Sequence, residues 1–336
     1  MSARVSVVIL NFNTARLLEQ FLPGVLESDY SNFEVVVADN ASSDDSVTLC
    51  REKFPQVRLI EIKDNLGYAG GYNHALKQIV ADYYVLLNSD VEVTPNWLKP
   101  LVNLAETDPD IAAIQPTLLD FNHRTRFEYA GAAGGWIDRY GYPFCRGRIF
   151  HVLEEQKGQY ADKTDIFWAS GAALFVRAAD FHAAGGFDGH FFAHMEEIDL
   201  CWRLQLAGKR IKYCPESTVF HMGGGTLNQQ SAHKTFLNFR NGLLLLEKNL
   251  PERDRSGIIF RRLLLDGVAA VKFFLSGKFR HSWAIWRAHR FFHAKRRQFR
   301  PENPVVDREL SGYYRGSVVA DFYLRGKRRF SDIIQP

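Results

Sequence analysis

The sequence predicts an α/β protein with a mostly parallel central sheet flanked by helices, followed by a helical C-terminal extension. Three observations support this fold class. Within the first 120 residues, short apolar runs alternate with amphipathic segments, as strands and helices do around a parallel sheet. Polar residues collect where the predicted strands end. Beyond about residue 234 the pattern turns helical and becomes rich in aromatic and basic residues.

The elements follow from the apolar pattern and its flanking residues. The predicted strands of the first 120 residues are Val5–Leu10, Phe33–Ala38, Val57–Ile62, Tyr83–Leu87 and Ile111–Gln115. The predicted helices are 14–27, 44–53, 71–80 and 95–104, with Thr14 and Ser42 or Ser43 as N-caps. Residues 121–165 show no clear period, and the pattern then gives a strand at 168–177, a helix at 196–207 and short strands at 210–214 and 219–221.

Length and composition suit one large domain with an appendage. With 336 residues, 46% of them hydrophobic, we predict a domain over 1–230, divided into halves at about residue 120, and an extension over 231–336. The four cysteines form no CxxC pair, which argues against a disulfide framework or a thiolate zinc site and favours a cytoplasmic location. No apolar run is long enough for a signal-peptide core or a bilayer span.

The positive charge is local. Residues 271–300 contain nine Lys or Arg and no Asp or Glu, while the rest of the chain carries 33 basic and 38 acidic residues. A general nucleic-acid binder is therefore not expected. Basic residues interleaved with tryptophan and phenylalanine are typical of a helix lying on an anionic membrane. The alternative is a helix packed on the main domain with its basic face in water.

Three polar clusters follow predicted strands, at Asn11-Phe12-Asn13, Asp39-Asn40 and Asn88-Ser89-Asp90. Ligands of parallel sheets bind beyond the carboxyl ends of the strands, where these clusters would meet. Each cluster alone is also compatible with a turn or a helix cap. The carboxylate of Asp90 is a suitable ligand for Mg²⁺ or Mn²⁺, which often take one or two carboxylates plus substrate phosphates.

A glycine-rich stretch, 65–73, lies between the third strand and a helix. Its glycines permit close backbone approach, and the following helix start offers N–H groups to an anion. The stretch is neither GxGxxG nor a phosphate-binding GK[ST] loop. A dinucleotide-dependent oxidoreductase would carry its glycine fingerprint after the first strand, where this chain has Asn-Phe-Asn.

Taken in order, these segments resemble glycosyltransferase family 2, the inverting enzymes with a GT-A fold, and in particular its rhamnosyltransferase-like members. The resemblance covers about residues 4–225. It is carried by the Val5–Asn13 segment, Asp39-Asn40, the 65–73 loop, Asn88-Ser89-Asp90 and the acidic segment from Glu196 to Arg203.

The resemblance implies roles for individual residues. The donor nucleotide would be surrounded by Asn11, Asn13, Asp39, Asn65, Gly70 and Asn88. The divalent metal, Mg²⁺ or Mn²⁺, would be bound by Asp90 and by His221, which precedes three glycines in a loop expected to close over the donor. The acceptor side would include Gly171, Asp188 and Glu196. The general base would be Glu197, with Glu196 and Asp199 as competitors, and acids at a helix start that only favour the dipole are the alternative.

Two positions depart from the family pattern. Asn88 stands where the first carboxylate of the DxD motif is usual, a form shared by rhamnosyltransferase-like members. The acidic pair, usually Glu-Asp, is Glu196-Glu197. The implied function is inverting transfer of a sugar, with dTDP-rhamnose as first guess, from a nucleotide-diphosphate donor to a glycan or polyprenyl-linked acceptor in cell-surface polysaccharide synthesis. Such an enzyme would work at the inner face of the cell membrane. The alternative is a non-catalytic nucleotide-sugar-binding protein with a decayed site.

Overall fold

The computed structural model describes residues 2–223, 231–301 and 303–334. The strands are β1 Val5–Asn11, β2 Phe33–Asn40, β3 Arg58–Ile62, β4 Tyr83–Leu87, β5 Val91–Val93, β6 Ile111–Asp120, β7 Gly135–Asp138, β8 Pro143–Cys145, β9 Arg148–Ile149, β10 Val152–Leu153, β11 Ala173–Arg177, β12 Arg210–His221 and β13 Tyr313–Tyr314. The helices are α1 Ala15–Leu26, α2 Ser46–Lys53, α3 Gly67–Leu76, α4 Leu98–Glu106, α5 Ala178–Ala183, α6 Glu196–Leu206, α7 Ala232–Asn249, α8 Glu252–Leu275, α9 Phe279–Lys295, α10 Val318–Tyr323 and α11 Phe330–Ile333.

The central sheet has eight strands in the order β3-β2-β1-β4-β11-β6-β12-β5. Strands β3, β2, β1 and β4 are parallel to one another, and β12 is parallel to β6. Strands β11 and β5 run antiparallel to their neighbours. The predicted mostly parallel sheet is thus confirmed. Because β1, β2 and β4 are adjacent and parallel, their carboxyl ends lie at one edge.

Both faces of this sheet are covered. Along β1, Val5, Val7 and Ile9 belong to one apolar core and Val8 to the other, since successive side chains point to opposite faces. Burial on both faces explains why β1 and β4 are continuous apolar runs rather than alternating ones.

Several predicted boundaries were wrong. Helix α3 begins at Gly67 rather than at residue 71, and β6 extends to Asp120. The two short strands predicted at 210–214 and 219–221 are one strand, β12, whose register against β6 shifts between Cys214 and Thr218. A bulge there absorbs the interrupting residues, including Pro215, without ending the strand.

A second sheet occupies the region that showed no period in the sequence. Its order is β10-β9-β8-β7-β13, so Tyr313–Tyr314 near the end of the chain pairs with β7. Its strands are only two to four residues long. Such short strands contain too few side chains for an alternating pattern to be recognised.

The helical extension is packed on the rest of the protein along one face. Ile258 and Ile259 of α8 join the larger apolar core. On the same helix, Arg262 donates to the carboxylate of Asp266 at 2.8 Å, and the hydroxyl of Tyr142 donates to that carboxylate. The opposite face of α8 is exposed. In the described part of the chain, no helix is both long and apolar enough to cross a bilayer.

Candidate functional site

The ends of β1 and β2 are joined by buried side chains. Asn11 Nδ2 donates to Asp39 Oδ1 at 2.8 Å, across the register pair of the two strands. The other oxygen of Asp39 accepts from the backbone amide of Ser42 at 2.9 Å. Thr14 donates to Asn11 Oδ1, and its hydroxyl lies 3.0 Å from that of Ser89. One network therefore connects the first two polar clusters to the third.

Asn13 lies at the open side of this network. Its backbone adopts the left-handed region, with φ of 56°, which asparagine tolerates better than most residues. The side-chain oxygen of Asn13 accepts from the backbone amide of Ser43 at 2.7 Å, and the backbone amide of Asn13 donates to the hydroxyl of Ser42. The prediction that Ser42 or Ser43 caps α2 was therefore wrong, because both residues bond back to Asn13. The hydroxyl of Thr14, at the start of α1, likewise forms no capping bond.

The glycine-rich loop is tied to the end of β2. Asn40 donates to Asn65 Oδ1 at 3.0 Å and accepts from the amide of Leu66. Gly67 has φ of 70°, and a Cβ there would lie 2.5 Å from the ring of Phe192. The close approach that glycine permits at this position is therefore to Phe192. Asn65 and Gly70 lie in and beside this turn.

The start of α3 does not offer free N–H groups, contrary to expectation. The amides of Tyr68 and Ala69 both donate to the carbonyl of Phe192, at 2.7 and 3.2 Å. The amide of Gly67 donates to the side chain of Asn65 at 2.9 Å. An anion would have to displace the Phe192 carbonyl to use the first two.

The third cluster meets β12 at the same edge. The amide of Asn88 donates to the carbonyl of Ala172, and the amide of Met222 donates to the carbonyl of Asp90. His221 Nε2 lies 3.1 Å from Asp90 Oδ1, and both side chains are buried. The structure thus brings together the two predicted metal ligands, which are 131 positions apart in the chain. Of the predicted glycine run after His221, Gly223 is described, whereas Gly224 and Gly225 lie outside the described residues.

The Asp90–His221 pair has a donor set and a spacing suited to Mn²⁺ or Mg²⁺. Cis ligands at ~2.1 Å from an octahedral ion stand ~3 Å apart, close to the 3.1 Å observed. The carboxylate suits either ion, and the imidazole favours a transition metal such as Mn²⁺ over Mg²⁺. Within the described residues, no set of three or more His, Cys, Asp or Glu side chains forms a metal site. These two protein ligands would thus need further ones from a bound diphosphate or water.

Glu128 is a member of this site that sequence reasoning missed. Its Oε1 lies 3.2 Å from His221 Nδ1, and the side chain is 7% exposed. Burial lowers the pKa of His221, but the carboxylates of Glu128 and Asp90 outweigh this and raise the pKa to about 10. A carboxylate on the far nitrogen of a histidine fixes the orientation of a metal-binding ring. Glu128 belongs to the region without period, so no sequence signal placed it here.

The predicted acidic pair opens α6, where Glu196 is buried and Glu197 is partly exposed. Burial, and then the charge of the neighbouring Glu197, raise the pKa of Glu196 well above its usual range. Burial likewise raises the pKa of Glu197 to about 7. One oxygen of each carboxylate has no hydrogen-bond partner within the described residues. Buried carboxylates with raised pKa values are what a general base near neutral pH requires.

Tyr68 connects the acidic pair to the segment before β11. Burial and the nearby Tyr72 raise the pKa of its hydroxyl, with Glu196 and Glu197 contributing. That hydroxyl donates to the carbonyl of Gly171 at 2.6 Å, and a Cβ at Gly171 would lie 2.6 Å from the same oxygen. Gly171 is therefore required by the approach of Tyr68. The next carbonyl, that of Ala172, accepts from the backbone amide of Asn88, so Tyr68 is connected to the edge that carries Asp90.

The backbone before the acidic pair is strained. Phe192, His194 and Met195 have φ values of 63°, 70° and 75°, which non-glycine residues rarely adopt. The side-chain amide of Asn241, on α7, donates to the carbonyls of Phe191, Ala193 and His194. Helix α7 therefore holds the loop that presents Glu196 and Glu197, a contribution of the extension that the sequence did not indicate.

Two other predicted acids have structural partners. Asp188 pairs with Lys248 at 2.7 Å and accepts from the amide of His190. Despite burial, Lys248 lowers the pKa of Asp188 to about 2. Asp199 is fully buried and accepts from Arg203, Lys248 and Asn249. Asp199 thus braces Arg203 at the start of α6, while an acceptor-binding role for Asp188 stays a prediction.

Comparison with known proteins gives a consistent result. A sequence model described as Glycosyl transferase family 2 matches residues 6–180. The chain is 44% identical over 226 residues to the rhamnosyltransferase WbbL of Escherichia coli strain K12, covering 65% of this chain and 83% of that one. It is 27% identical over 235 residues to the N-acetylglucosaminyl-diphospho-decaprenol L-rhamnosyltransferase of Mycobacterium tuberculosis, covering 66% and 76%.

Solved structures share the fold. GalNAc-T7 with UDP, GalNAc and Mn²⁺ superposes with a TM-score of 0.61 at 15% identity, over 89% of this chain and 58% of that one. The mannosyltransferase PcManGT of Pyrobaculum calidifontis, in complex with GDP-Man and Mn²⁺, gives 0.52 at 18% identity, over 88% and 75%. These likenesses confirm the predicted GT-A architecture with C-terminal helices.

Proposed function

Because the chain belongs to glycosyltransferase family 2, in its rhamnosyltransferase-like subgroup, and is a glycosyltransferase, we propose that it is an inverting enzyme of cell-surface polysaccharide synthesis. It transfers a sugar from a nucleotide-diphosphate donor to a hydroxyl of a glycan or polyprenyl-linked acceptor. The observation that carries this proposal is the Asp90–His221 contact together with the acidic pair at the start of α6, in which one oxygen of each carboxylate has no hydrogen-bond partner within the described residues.

The geometry suggests how the reaction is divided. Asn11, Asn13 and Asp39 would surround the nucleotide, and Asp90 and His221 would hold the cation. When bound, a divalent cation neutralises the charge that grows on the leaving phosphate. Glu197 takes the proton of the acceptor hydroxyl, whose oxygen forms a bond to the anomeric carbon as the bond to the nucleoside diphosphate breaks. Attack opposite the leaving group inverts the anomeric configuration.

A donor panel tests the proposal. The protein is incubated with nucleotide sugars and Mn²⁺ or Mg²⁺, starting with dTDP-rhamnose, the donor suggested by the rhamnosyltransferase relatives. Release of the nucleoside diphosphate is measured, and NMR gives the product's anomeric configuration. Turnover that depends on the metal and inverts the configuration is the expected result. Binding of a nucleotide sugar with no turnover on any acceptor would favour the decayed-site alternative, for which Asn88 is the supporting residue.

Glu128 should matter for metal affinity without touching the substrates. We expect Glu128→Gln to weaken Mn²⁺ binding about 10- to 100-fold, because the ring of His221 loses its anionic partner. Titration of Mn²⁺ followed by electron paramagnetic resonance measures this directly. Glu154→Gln is the matched control, since Glu154 bonds to Tyr160 and lies outside the site. Equal losses in both variants would contradict a positioning role for Glu128.

We place the enzyme at the inner face of the cell membrane because α8 has an exposed apolar face. Large apolar residues recur there at helical spacing and are each more than half exposed: Phe260, Leu264, Val268, Val271 and Leu275. The turn after α8 adds exposed Phe279 beside Lys278 and Arg280. A protruding apolar stripe flanked by cations fits the interface of an anionic bilayer.

Vesicle binding tests this placement. We expect Leu275→Glu to weaken binding to phosphatidylglycerol-containing vesicles at least about tenfold, because it puts a negative charge into the apolar stripe. Val80→Glu is the control, since Val80 and Leu275 are both 79% exposed but Val80 follows α3. Cosedimentation measures both variants. If Leu275→Glu binds as well as Val80→Glu, the stripe is not the membrane contact.

A further inference from the structure

An open groove of about 480 Å³ lies between α7 and α9. It is lined by Phe236, Trp283, Trp286, Arg287, Arg290 and Phe291. The two indole rings stack with centroids 4.3 Å apart and are 58% and 44% exposed. Two stacked tryptophans in water keep a large apolar area hydrated, which in a stable fold indicates a ligand surface.

The rim of the groove is cationic. The guanidinium of Arg287 lies 5.0 Å from the ring centroid of Phe236, and that of Arg290 lies 4.9 Å from the ring of Trp286. Residues 271–300 contain no acidic side chain to neutralise them. Contact with the aromatic rings orients each guanidinium, and the N–H groups at its edge suit a phosphate. The groove therefore combines an apolar floor with charges fit for an anion.

Helix α7 connects the groove to the loop before the acidic pair. On this helix, the guanidinium of Arg240 lies 5.4 Å from the ring centroid of Phe236, which lines the groove. The same guanidinium donates to the carbonyl of Phe191 at 2.9 Å. Phe191 directly precedes the strained loop that presents the proposed base, so one side chain contacts both the groove and the start of that loop.

We propose that this groove binds the junction between the diphosphate and the first isoprene units of a polyprenyl diphosphate acceptor. The arginines receive phosphate oxygens, and the tryptophans pack on the isoprene chain. The proposal rests on the proposed function, since it names the acceptor class for the same site. The ligand has to be amphipathic. A free anion would leave the apolar floor uncovered, and a purely apolar ligand would leave the arginines of the rim without an anion. The groove is lined by residues of α7 and α9, whereas the stripe assigned to the bilayer lies on α8 and ends at Phe279, the first residue of α9.

Farnesyl diphosphate, below its micelle concentration, is a direct probe. It is titrated against the whole chain in EDTA, so that no metal ion at the proposed donor site can bind its diphosphate. Tryptophan fluorescence and calorimetry measure the binding. We expect it to bind at least about tenfold more tightly than farnesol or inorganic pyrophosphate. Arg287→Gln with Arg290→Gln should weaken binding at least about tenfold, as should Trp283→Ala with Trp286→Ala. Lys295→Gln with Arg297→Gln removes the same charge outside the groove and should change binding less than about twofold.

Three results would overturn the proposal. These are no binding to the wild-type protein, equal binding of farnesol, and equal loss in the control pair. Tighter binding of a single-stranded oligonucleotide than of farnesyl diphosphate would also overturn it, since stacked aromatics with arginines can bind bases. Binding of nucleoside diphosphate with Mn²⁺ is measured on the same samples. If the protein binds farnesyl diphosphate but not the nucleoside diphosphate with Mn²⁺, the result counts against the proposed function and not against the groove.

Discussion

Replacing Glu197 by Gln should lower kcat about 100-fold or more while leaving the affinity for the nucleoside diphosphate nearly unchanged. The amide keeps the size of the side chain but cannot accept the proton of the acceptor hydroxyl. Its position at the start of α6, its raised pKa and an oxygen without a partner in the described residues make Glu197 the proposed base. Single-turnover kinetics with saturating donor and calorimetric donor titration separate the two effects.

Glu196→Gln and Asp199→Asn are the comparisons, because both acids compete for the role. Asp199 accepts bonds from three side chains, so its substitution should lower the melting temperature. A larger loss of kcat in Glu196→Gln than in Glu197→Gln, with both proteins folded, would move the base to Glu196.

Glu197 should also determine how kcat depends on pH. Since burial raises the pKa of Glu197 to about 7, and the base acts as the anion, kcat should fall about tenfold per pH unit below 7 and level off above it. Groups near this carboxylate are Glu196, Tyr68, Cys145 and Cys201. In the Glu197→Gln variant this limb should disappear, whereas a persisting limb would assign it to another group.

The free energy of unfolding should change with pH in the direction opposite to kcat. A carboxyl whose folded-state pKa lies above its unfolded value favours folding when protonated. Its contribution is complete below the unfolded pKa and is lost as pH rises through about 7, where Glu197 ionises in the folded protein. Urea unfolding between pH 5 and 8 gives the free energy of unfolding of the wild type and of Glu197→Gln. The contribution of Glu197 is the change with pH in the wild type that the variant lacks.

Replacing Asp90 by Ala should instead weaken metal-supported donor binding, by about 100-fold or more. Asp90 is the carboxylate of the two predicted metal ligands, and its neighbour His221 cannot supply the missing negative charge. Position 88, where the family usually has a second carboxylate, is an asparagine. His221→Ala should act in the same direction. Calorimetric titration of the nucleoside diphosphate with Mn²⁺, repeated in EDTA, isolates the metal-dependent part.

In EDTA the variants and the wild type should bind the nucleotide equally, because the remaining contacts proposed for it come from residues that follow β1 and β2. Asp108→Asn is a suitable control, as Asp108 pairs with Arg210 near the opposite end of β6. An equal loss of donor binding in Asp90→Ala and Glu197→Gln would refute the division of roles between the two residues.

The parts of the site that the sequence located are those that follow strands. A strand with both faces buried is a continuous apolar run, so its end is visible, and parallel neighbours bring such ends to one edge. This is why Asn11, Asp39 and Asp90 could be placed together from the strand pattern alone. The ordered motifs also identified the family, which the relatives confirm.

The sequence could not show which groups support these residues. Glu128 reaches His221 from a stretch whose strands are too short to give a period. Asn241 reaches the loop before α6 from a helix in the extension, about 50 residues away. Contacts of this kind depend on how elements pack, and no local pattern encodes them. The start of α3 was misread for the same reason, because the carbonyl that occupies its N–H groups belongs to Phe192.

For this protein, then, local patterning determined the sheet, the order of its strands along the chain, and the types of residue at its ligand-binding edge. Hydrophobic period and strand-end chemistry are properties of neighbouring residues, so one sequence suffices to find them. Tertiary structure alone decided that His221 faces Asp90, that Glu128 lies behind it, and that the extension both braces the acidic loop and forms a groove beside it. Those relations join residues far apart in the chain, and only packing brings them within reach.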